Sequence, residues 1–447
     1  MRAVIVGAGQ VGFHLAERLS QENQDVVLIE EDPERADYTG DHLDILTITG
    51  NGASLGILEK AGVRDADILM AVTSQDEVNL ISCLAATRLG VPYTVARVSN
   101  PEYHGSGSVL SREEMGIDLM INPERESARE VYDLLQSSAA TDVATFAQGR
   151  VQMVGVTVLE GAPVAGRTLA DLDRERPNRR QVVVAIIRNG ETIIPHGSST
   201  IEAHDQVYIL TPTADASSIP LLTGHEPLAL RRVMIAGGSS EGLFLAQLLE
   251  RVGVECTILD HDRRRCLELA EALPKSLVLH ADATDLELLE MEGVGGIDGF
   301  VAATNHDEVN LLSSLLAKST GAQKVISLIH RFEYLHLVPR VGLDAAVSPR
   351  MSTVNAILRY VRRGRVMTVA TLKGIDAEAI EFRTGPRSAV VDKPIRSVGF
   401  PEGSVVGTIM RGNEIVVPRG DTEIEPEDEV IMFTLPDAIG EVERLFE

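Results

Sequence analysis

The sequence predicts an α/β protein built twice over: two doubly wound parallel sheets, each followed by a small α+β lobe. Three observations carry this reading. Short β-branched runs alternate with helical patterns, the whole order of motifs recurs about halfway along the 447 residues, and the stretch after each alternation has strand signals without long helices between them. Alternation with short connections is the pattern of a parallel sheet covered by helices on both faces.

The repeat is visible directly. VIVGAGQVGFHLAERL begins at Val4 and MIAGGSSEGLFLAQLL at Met234, 230 positions later. AVTSQDEVNLIS, from Ala71, matches AATNHDEVNLLS, from Ala302, at 231. Asn122-Pro123 answers to Ser348-Pro349 at 226, and Gly190-Glu191-Thr192 to Asn413-Glu414-Ile415 at 223. A preserved order of matches means duplication of a unit of about 220 residues.

In the first copy, residues 3–6, 26–30, 45–48, 68–72, 94–98 and 119–121 read as strands, and 10–20, 76–89 and 123–136 as helices. Asn122-Pro123 and Ser348-Pro349 are N-cap plus first-turn proline pairs that open the last helix of each sheet domain. Beyond them, 181–188 and 191–195 flank Asn189-Gly190, a type I′ hairpin signal, and 403–410 and 415–418 flank Arg411-Gly412-Asn413 likewise. Linkers are expected near 137–141, 211–231 and 362–365. The expected domains are 1–140 and 230–363 for the sheets, and 141–225 and 364–447 for the lobes.

Composition excludes several function classes. A formal net charge of −25 disfavours binding to nucleic acid or to an anionic bilayer. Aromatic residues are 4% and tryptophan is absent, so stacking platforms for single strands are not expected. No apolar run reaches the ~18 residues of a membrane span, and MRAVIVGAGQVG does not read as a signal peptide. Cys83, Cys256 and Cys266 have no ligand or disulfide spacing and read as buried thiols in a reducing compartment.

Gly7-Ala8-Gly9-Gln10-Val11-Gly12 follows a strand and opens a helix, and Glu30 closes the second strand 18 residues after Gly12. This is the fingerprint of a Rossmann-like dinucleotide site: Gly7 for the tight turn, Gly9 for pyrophosphate approach, Gly12 for helix–sheet packing. The helix N-terminus offers free N–H groups to phosphate. A carboxylate at Glu30 accepts from both ribose hydroxyls and repels a 2′-phosphate, which favours NAD(H) over NADP(H). Asn51-Gly52-Ala53 would face the adenine side, Thr73 and Ser74 would lie at the carboxyl edge of the sheet, and Arg97 could neutralise a phosphate.

The second copy departs from this pattern. Gly237-Gly238-Ser239-Ser240-Glu241-Gly242 has serine at the middle glycine, where a Cβ would crowd the phosphates, and Glu241 adds negative charge. Asp260 keeps the ribose carboxylate, while Leu328 replaces Arg97. The site is read as a weakened dinucleotide site, as empty, or as one for a different adenine nucleotide. Ser74-x-x-Glu77 and Asn305-x-x-Glu308 read as capping boxes rather than catalytic groups. The eleven histidines are scattered; His330 and His336 have no metal spacing, and no dehydrogenase acid–base pair is apparent.

Taken together, the glycine turn, Glu30, Gly50-Asn51-Gly52, Ala71-Val72-Thr73 and Asp76-Glu77-x-Asn79-Leu80, with their second set, resemble the TrkA-type regulatory subunits of Trk and Ktr potassium uptake systems. The resemblance covers nearly the whole chain. It implies two RCK/KTN domains, each with an RCK C-terminal lobe, in a cytosolic homotetrameric gating ring beneath a membrane-embedded potassium transporter. It further implies regulation by NAD(H) in the first domain and by ATP or ADP in either, with no catalysis and no insertion into lipid. Carried over by position, the nucleotide contacts are Gly7 to Val11, Glu30, Thr73, Ser74 and Arg97, then Gly237 to Glu241 and Asp260. A regulator of a cation/proton antiporter or a potassium channel, and an NAD-dependent oxidoreductase, are the alternatives.

Overall fold

A computed structural model describes residues 1–104, 112–137, 139–175, 180–226, 230–335, 337–338, 340–361, 366–371 and 377–446. The linker expected at 362–365, and His336, lie outside the described residues. The first sheet domain runs β1 (Arg2–Val6), α1 (Gln10–Gln21), β2 (Asp25–Glu30), α2 (Pro33–His42), β3 (Leu46–Thr49), α3 (Leu55–Lys60), β4 (Ile68–Ala71), α4 (Asp76–Leu89), β5 (Tyr93–Arg97), α5 (Arg112–Met115), β6 (Leu119–Ile121) and α6 (Pro123–Leu135). Its strands form one parallel sheet in the order β3-β2-β1-β4-β5-β6. Reversal of strand order beside β1 creates a crevice outside the carboxyl ends of the strands, where ligands bind in such sheets.

The first lobe comprises β7 (Ala140–Phe146), β8 (Val151–Thr157), β9 (Arg167–Thr168), α7 (Leu169–Glu175), β10 (Val182–Arg188), β11 (Glu191–Ile193), β12 (Thr200–Ile201), β13 (Gln206–Pro212) and α8 (Ile219–Leu222). The second sheet domain repeats the first: β14 (Arg232–Ala236), α9 (Ser240–Val252), β15 (Glu255–Asp260), α10 (Arg263–Ala272), β16 (Leu277–His280), α11 (Leu286–Met291), β17 (Gly299–Ala302), α12 (Asp307–Thr320), β18 (Lys324–Leu328), α13 (Phe332–Leu335), β19 (Ala345–Val347) and α14 (Pro349–Val361). The second lobe comprises β20 (Val366–Thr371), β21 (Glu378–Arg383), α15 (Ile395–Val398), β22 (Ser404–Arg411), β23 (Glu414–Val416), β24 (Glu429–Thr434) and α16 (Pro436–Phe446). The second parallel sheet is β16-β15-β14-β17-β18-β19, the same order as the first. The lobe sheets, β11-β10-β13-β8-β7 and β20-β21-β24-β22-β23, are antiparallel and also correspond strand for strand.

Contacts divide the chain into two compact units, and the division exchanges the last helices. One unit is Met1–Ser127 with Pro349–Val361; the other is Ala128–Ser348 with Arg362–Glu447. In the first, Val354, Ile357 and Leu358 of α14 share a core with Ile5, Leu15 and Leu19 of β1 and α1. In the second, Val131 and Leu135 of α6 share a core with Val233, Leu245 and Leu249 of β14 and α9. Leu135 stands so close to β17 that a Cβ on Gly299 would lie 2.7 Å from its Cδ2. Each sheet therefore buries one face under the last helix of the other copy, a contact that no local pattern encodes. The two lobe sheets, both in the second unit, close a common core in which Phe146, Met153, Tyr208 and Leu210 meet Ala379, Met410, Ile431 and Phe433.

Local expectations met mixed outcomes. Asn122 Oδ1 accepts from Arg125 N at 2.8 Å, the expected cap of α6. The Asn189-Gly190 hairpin is present, with φ of 54° and 84° at the two residues, as a type I′ turn needs. The second hairpin closes more tightly than expected: Arg411 pairs with Glu414, leaving only Gly412-Asn413 in the loop. Helix α2 has no counterpart among the expected elements, although Asp32 caps it by accepting from Glu34 N and Arg35 N; apart from Pro33, Ala36, Tyr38 and Gly40 its sequence is polar, so it carries no continuous apolar stripe. The 211–231 stretch is no mere linker: β13 runs to Pro212, and α8 buries Ile219 and Pro220.

Candidate functional site

The glycine turn lies between β1 and α1. Gly7 has φ +104°, which disfavours a side chain, and a Cβ there would stand 3.0 Å from Thr73 Cγ2. Gly12 passes directly under the turn, where a Cβ would stand 1.8 Å from Gly7 O. Gly9 differs in kind. Its φ of −64° and ψ of 176° suit any residue, and a Cβ would meet nothing within 4 Å. The protein's own packing does not require glycine there, so the open space beside it is free for another molecule. Gln10 opens α1 on the exposed side, and Val11 is buried beneath it.

Glu30 ends β2 nearly buried, at 9% exposure. Its Oε2 accepts from Ala8 N at 2.5 Å and its Oε1 from Asp32 N at 3.0 Å. The carboxylate is thereby aimed by the turn itself, and each oxygen keeps a second lone pair for a ribose hydroxyl. Asn51 folds back on Ala53 N at 2.9 Å, and Gly52 is required because a Cβ would lie 2.1 Å from Val6 Cγ1. Thr73 sits at the carboxyl edge, with exposed Ser74 beside it. Arg97 ends β5 as expected; its Nη1 donates to Thr73 O at 3.3 Å, while its buried Nε has no partner. A turn with room for a side chain at Gly9 and an unpartnered guanidinium nitrogen on the same sheet edge fit a phosphate-bearing ligand.

The capping boxes are not there. Gln75 and His306 precede α4 and α12, and neither makes a side-chain cap. Asp76 instead accepts from Ser99 N and Asn100 N at 3.0 and 2.7 Å. Asn79, fully buried, accepts from Thr73 N and Oγ1 and donates to Thr73 O and Arg97 O. Asn310 repeats all four bonds with Thr304 and Leu328. The motif is a staple that ties the edges of neighbouring strands together, and its recurrence at 231 positions was the available signal.

The second staple yields a test. Asp307 accepts from His330 N, His330 Nδ1 and Arg331 N at 2.9, 2.8 and 2.9 Å. Burial pushes its carboxyl up, but these donors outweigh burial and hold it below the usual carboxylate range. Its contribution to stability is therefore complete above that range and is lost as pH falls through the lowered native value. Thermal melts from neutral pH downward are expected to show Asp307→Asn less stable than wild type, with the gap closing in acid. A gap independent of pH would contradict this.

The second glycine turn has the same backbone with other contacts. Asp260 mirrors Glu30, accepting from Gly238 N at 2.6 Å and Asp262 N at 2.8 Å. Ser239 does more than crowd the approach: its Oγ accepts from Gly242 N at 3.2 Å, so the side chain caps α9 and takes one of the donors a phosphate would use. Arg265 Nε donates to Gly238 O at 2.6 Å, and a Cβ on Gly238 would lie 2.5 Å from Leu269 Cδ1. Helix α10 thus packs down on this turn, whereas the corresponding Arg35 is exposed and pairs with Asp32 at 3.6 Å. Ser240 is exposed and Glu241 nearly buried in the first turn of α9.

Elsewhere, a cleft of about 480 Å³ between the lobes is lined by Arg150, Arg383, Glu427 and Glu429. Its charges are matched internally, since Glu429 takes both Arg150 and Arg383 at 3.1 and 3.0 Å. The three cysteines are buried free thiols; burial pushes Cys83 far up and Cys256 up to about 12, so neither is a ready nucleophile. Among the described residues no cluster of three or more His, Cys, Asp or Glu could hold a metal ion, and no helix is long and apolar enough to cross a membrane.

Two parallel sheets of this strand order, each with a glycine turn and an aimed carboxylate and each followed by an antiparallel lobe, define a tandem nucleotide-fold protein. The TrkA-N domain matches residues 3–123 and 233–349, and the TrkA-C domain matches 153–219 and 379–447. The Trk system potassium uptake protein TrkA homolog 1 of Methanosarcina mazei is 39% identical over 100% of both chains. The Trk system potassium uptake protein TrkA of Halomonas elongata is 38% identical over 100% of this chain and 99% of its own. The chain belongs to this TrkA family. Among solved structures, the GsuK RCK domain covers 100% of this chain and 94% of its own, with TM-score 0.61 and 17% identity. The GsuK channel bound to NAD aligns equally well, at TM-score 0.61 and 17% identity over 100% of this chain and 78% of its own. These two show a shared fold.

Proposed function

We propose that this protein is the cytoplasmic nucleotide-sensing subunit of a Trk/Ktr-type potassium transporter, and that it performs no hydride transfer. The observation that carries the reading is the first glycine turn, with open space at Gly9, the aimed carboxylate of Glu30 and the unpartnered Nε of Arg97. NAD(H) is the ligand of the first copy. The second copy, with Ser239 capping its own helix and Leu328 in place of Arg97, binds dinucleotide weakly or takes ATP or ADP instead. The chain's relatives are named potassium uptake proteins, which favours a regulatory role over hydride transfer.

Assembly of several copies into a tetrameric ring is supported by apolar side chains exposed at matching positions of the repeat. Leu46 and Leu277 are 56% and 51% exposed, Leu55 and Leu286 59% and 40%, and Ile81 and Leu312 48% and 49%. Each pair holds corresponding positions in the two copies, so both copies expose apolar groups at the same places, as a repeating interface requires. The ring attaches to the membrane through its transporter, since the net charge of −25 opposes anionic lipid.

Two measurements test this. Wild type is expected to prefer NADH to NADPH, and Glu30→Ala to weaken NADH by about 1–3 kcal/mol while erasing the preference. Equal wild-type affinities would refute the assignment. In liposomes holding a Trk-type potassium pore, NADH, ADP or ATP is expected to change flux only when this subunit is added. If flux never responds, a regulator of an antiporter or channel becomes the better reading.

A further inference from the structure

We propose that Arg350, on the last helix of the second copy, is a phosphate-contact residue of the first copy's nucleotide site, so that this site is completed only by the other half of the tandem. The inference rests on the nucleotide reading of the first turn and adds a residue that neither the glycine fingerprint nor its spacing contains.

The geometry places Arg350 there. Helix α14 packs on α1 and the first sheet through Val354, Ile357 and Leu358. Its first turn thereby comes to the N-terminus of α1, where Arg350 Nη1 donates to Gln10 Oε1. Gln10 is the first residue of α1 and follows Gly9, whose missing side chain leaves the open space. A charge-assisted, bidentate bond from a guanidinium to phosphate is roughly twice as strong as a neutral one, so a phosphate beside Gly9 competes for Arg350. The ligand chemistry is the diphosphate or triphosphate of an adenine nucleotide. A free terminal phosphate carries more charge than the diphosphate bridge of a dinucleotide, so ADP and ATP depend on Arg350 more than NADH does.

The repeat supports a specialised role. The residue at the same place in the first copy's last helix, after Pro123, is Glu124, of opposite charge. Duplication alone would have kept one sign. The consequence is regulatory. Helix α14 leads, within a few residues, to β20 of the second lobe. A nucleotide that grips Arg350 binds the docked position of α14 more tightly than any other position, and by linkage it biases the chain that continues from that helix.

The test is calorimetric titration of the full-length protein with NADH, ADP and ATP, for wild type, Arg350→Gln and Arg350→Lys. Arg350→Gln is expected to weaken ADP and ATP about tenfold or more and NADH less, with an unchanged melting temperature. Arg350→Lys, which keeps the charge but loses the fork, is expected to fall between. It decides the matter if the glutamine variant folds poorly. Wild-type affinity for all three ligands in a folded Arg350→Lys and Arg350→Gln would overturn the inference while leaving the nucleotide site standing. A wild type that binds none of the three would overturn both.

Discussion

Gly9→Ala is expected to melt with wild type and yet bind NADH about a hundredfold more weakly, a loss of about 2.7 kcal/mol. Alanine fits the backbone at φ −64° and meets no atom within 4 Å. Reduced freedom of the unfolded chain offsets the small cost of alanine at an N-cap, so stability changes by no more than about 1 kcal/mol. The new methyl group stands where the phosphates of the proposed nucleotide would approach. Gly12→Ala is the contrasting case. Its Cβ would lie 1.8 Å from Gly7 O, so α1 must move off the sheet, at a cost of roughly 1–3 kcal/mol or more. Denaturant melts paired with NADH titrations separate the two. A Gly9→Ala protein that binds NADH normally would remove the turn from the ligand site, and one that unfolds early would show that the space beside Gly9 has a structural use.

Lys324 is expected to give the largest pH effect. It is 1% exposed at the start of β18, and its Nζ donates to Ser137 O at 3.2 Å and to Ala140 O, at the junction between α6 and the first lobe. Burial pushes its ammonium down from 10.5 to about 8; Asp344 opposes the shift and Lys318 reinforces it. The native state therefore resists protonation more than the unfolded state does. From about pH 8 to 10.5 the unfolded chain holds the extra proton, and stability rises with pH through that window. At 1.36 kcal/mol per unit, the gain is about 3 kcal/mol. Relative to Lys324→Met, wild type is expected to gain that amount across the window and to show a flat difference below it. A difference that stays constant to pH 10.5 would mean that Lys324 keeps its charge, held by the two carbonyls.

Much of this molecule is legible residue by residue. The strands of both sheets, helices α1, α4 and α6, the Asn189-Gly190 turn and the glycine turn with Glu30 all arise from short-range patterns: β-branched runs, apolar spacing, a turn that needs positive φ, a carboxylate at a strand end. Helix α2 escaped because it has no continuous apolar stripe to announce it, and the capping boxes misled because a serine or asparagine three residues before a glutamate fits a helix start equally well when the carboxylate beside it is bonding to the next strand. The Asn79 and Asn310 staples show the same limit. Asparagine at that position reads as an ordinary helix residue until the strand ends it bridges are brought together.

By itself the sequence determined the duplication, the class of fold and the inequality of the two glycine turns. Each depends on residues close along the chain or on direct comparison of the two copies. Only the tertiary structure decided which sheet each last helix covers, where Lys324 and Arg350 lie, and that the lobes share one core. Those contacts join residues far apart in sequence, such as Gln10 with Arg350 and Ala140 with Lys324. The apolar stripes of α6 and α14 specify that each must be buried, but hydrophobic burial is non-directional and does not name the partner; shape and connectivity, expressed only in the folded chain, make that choice.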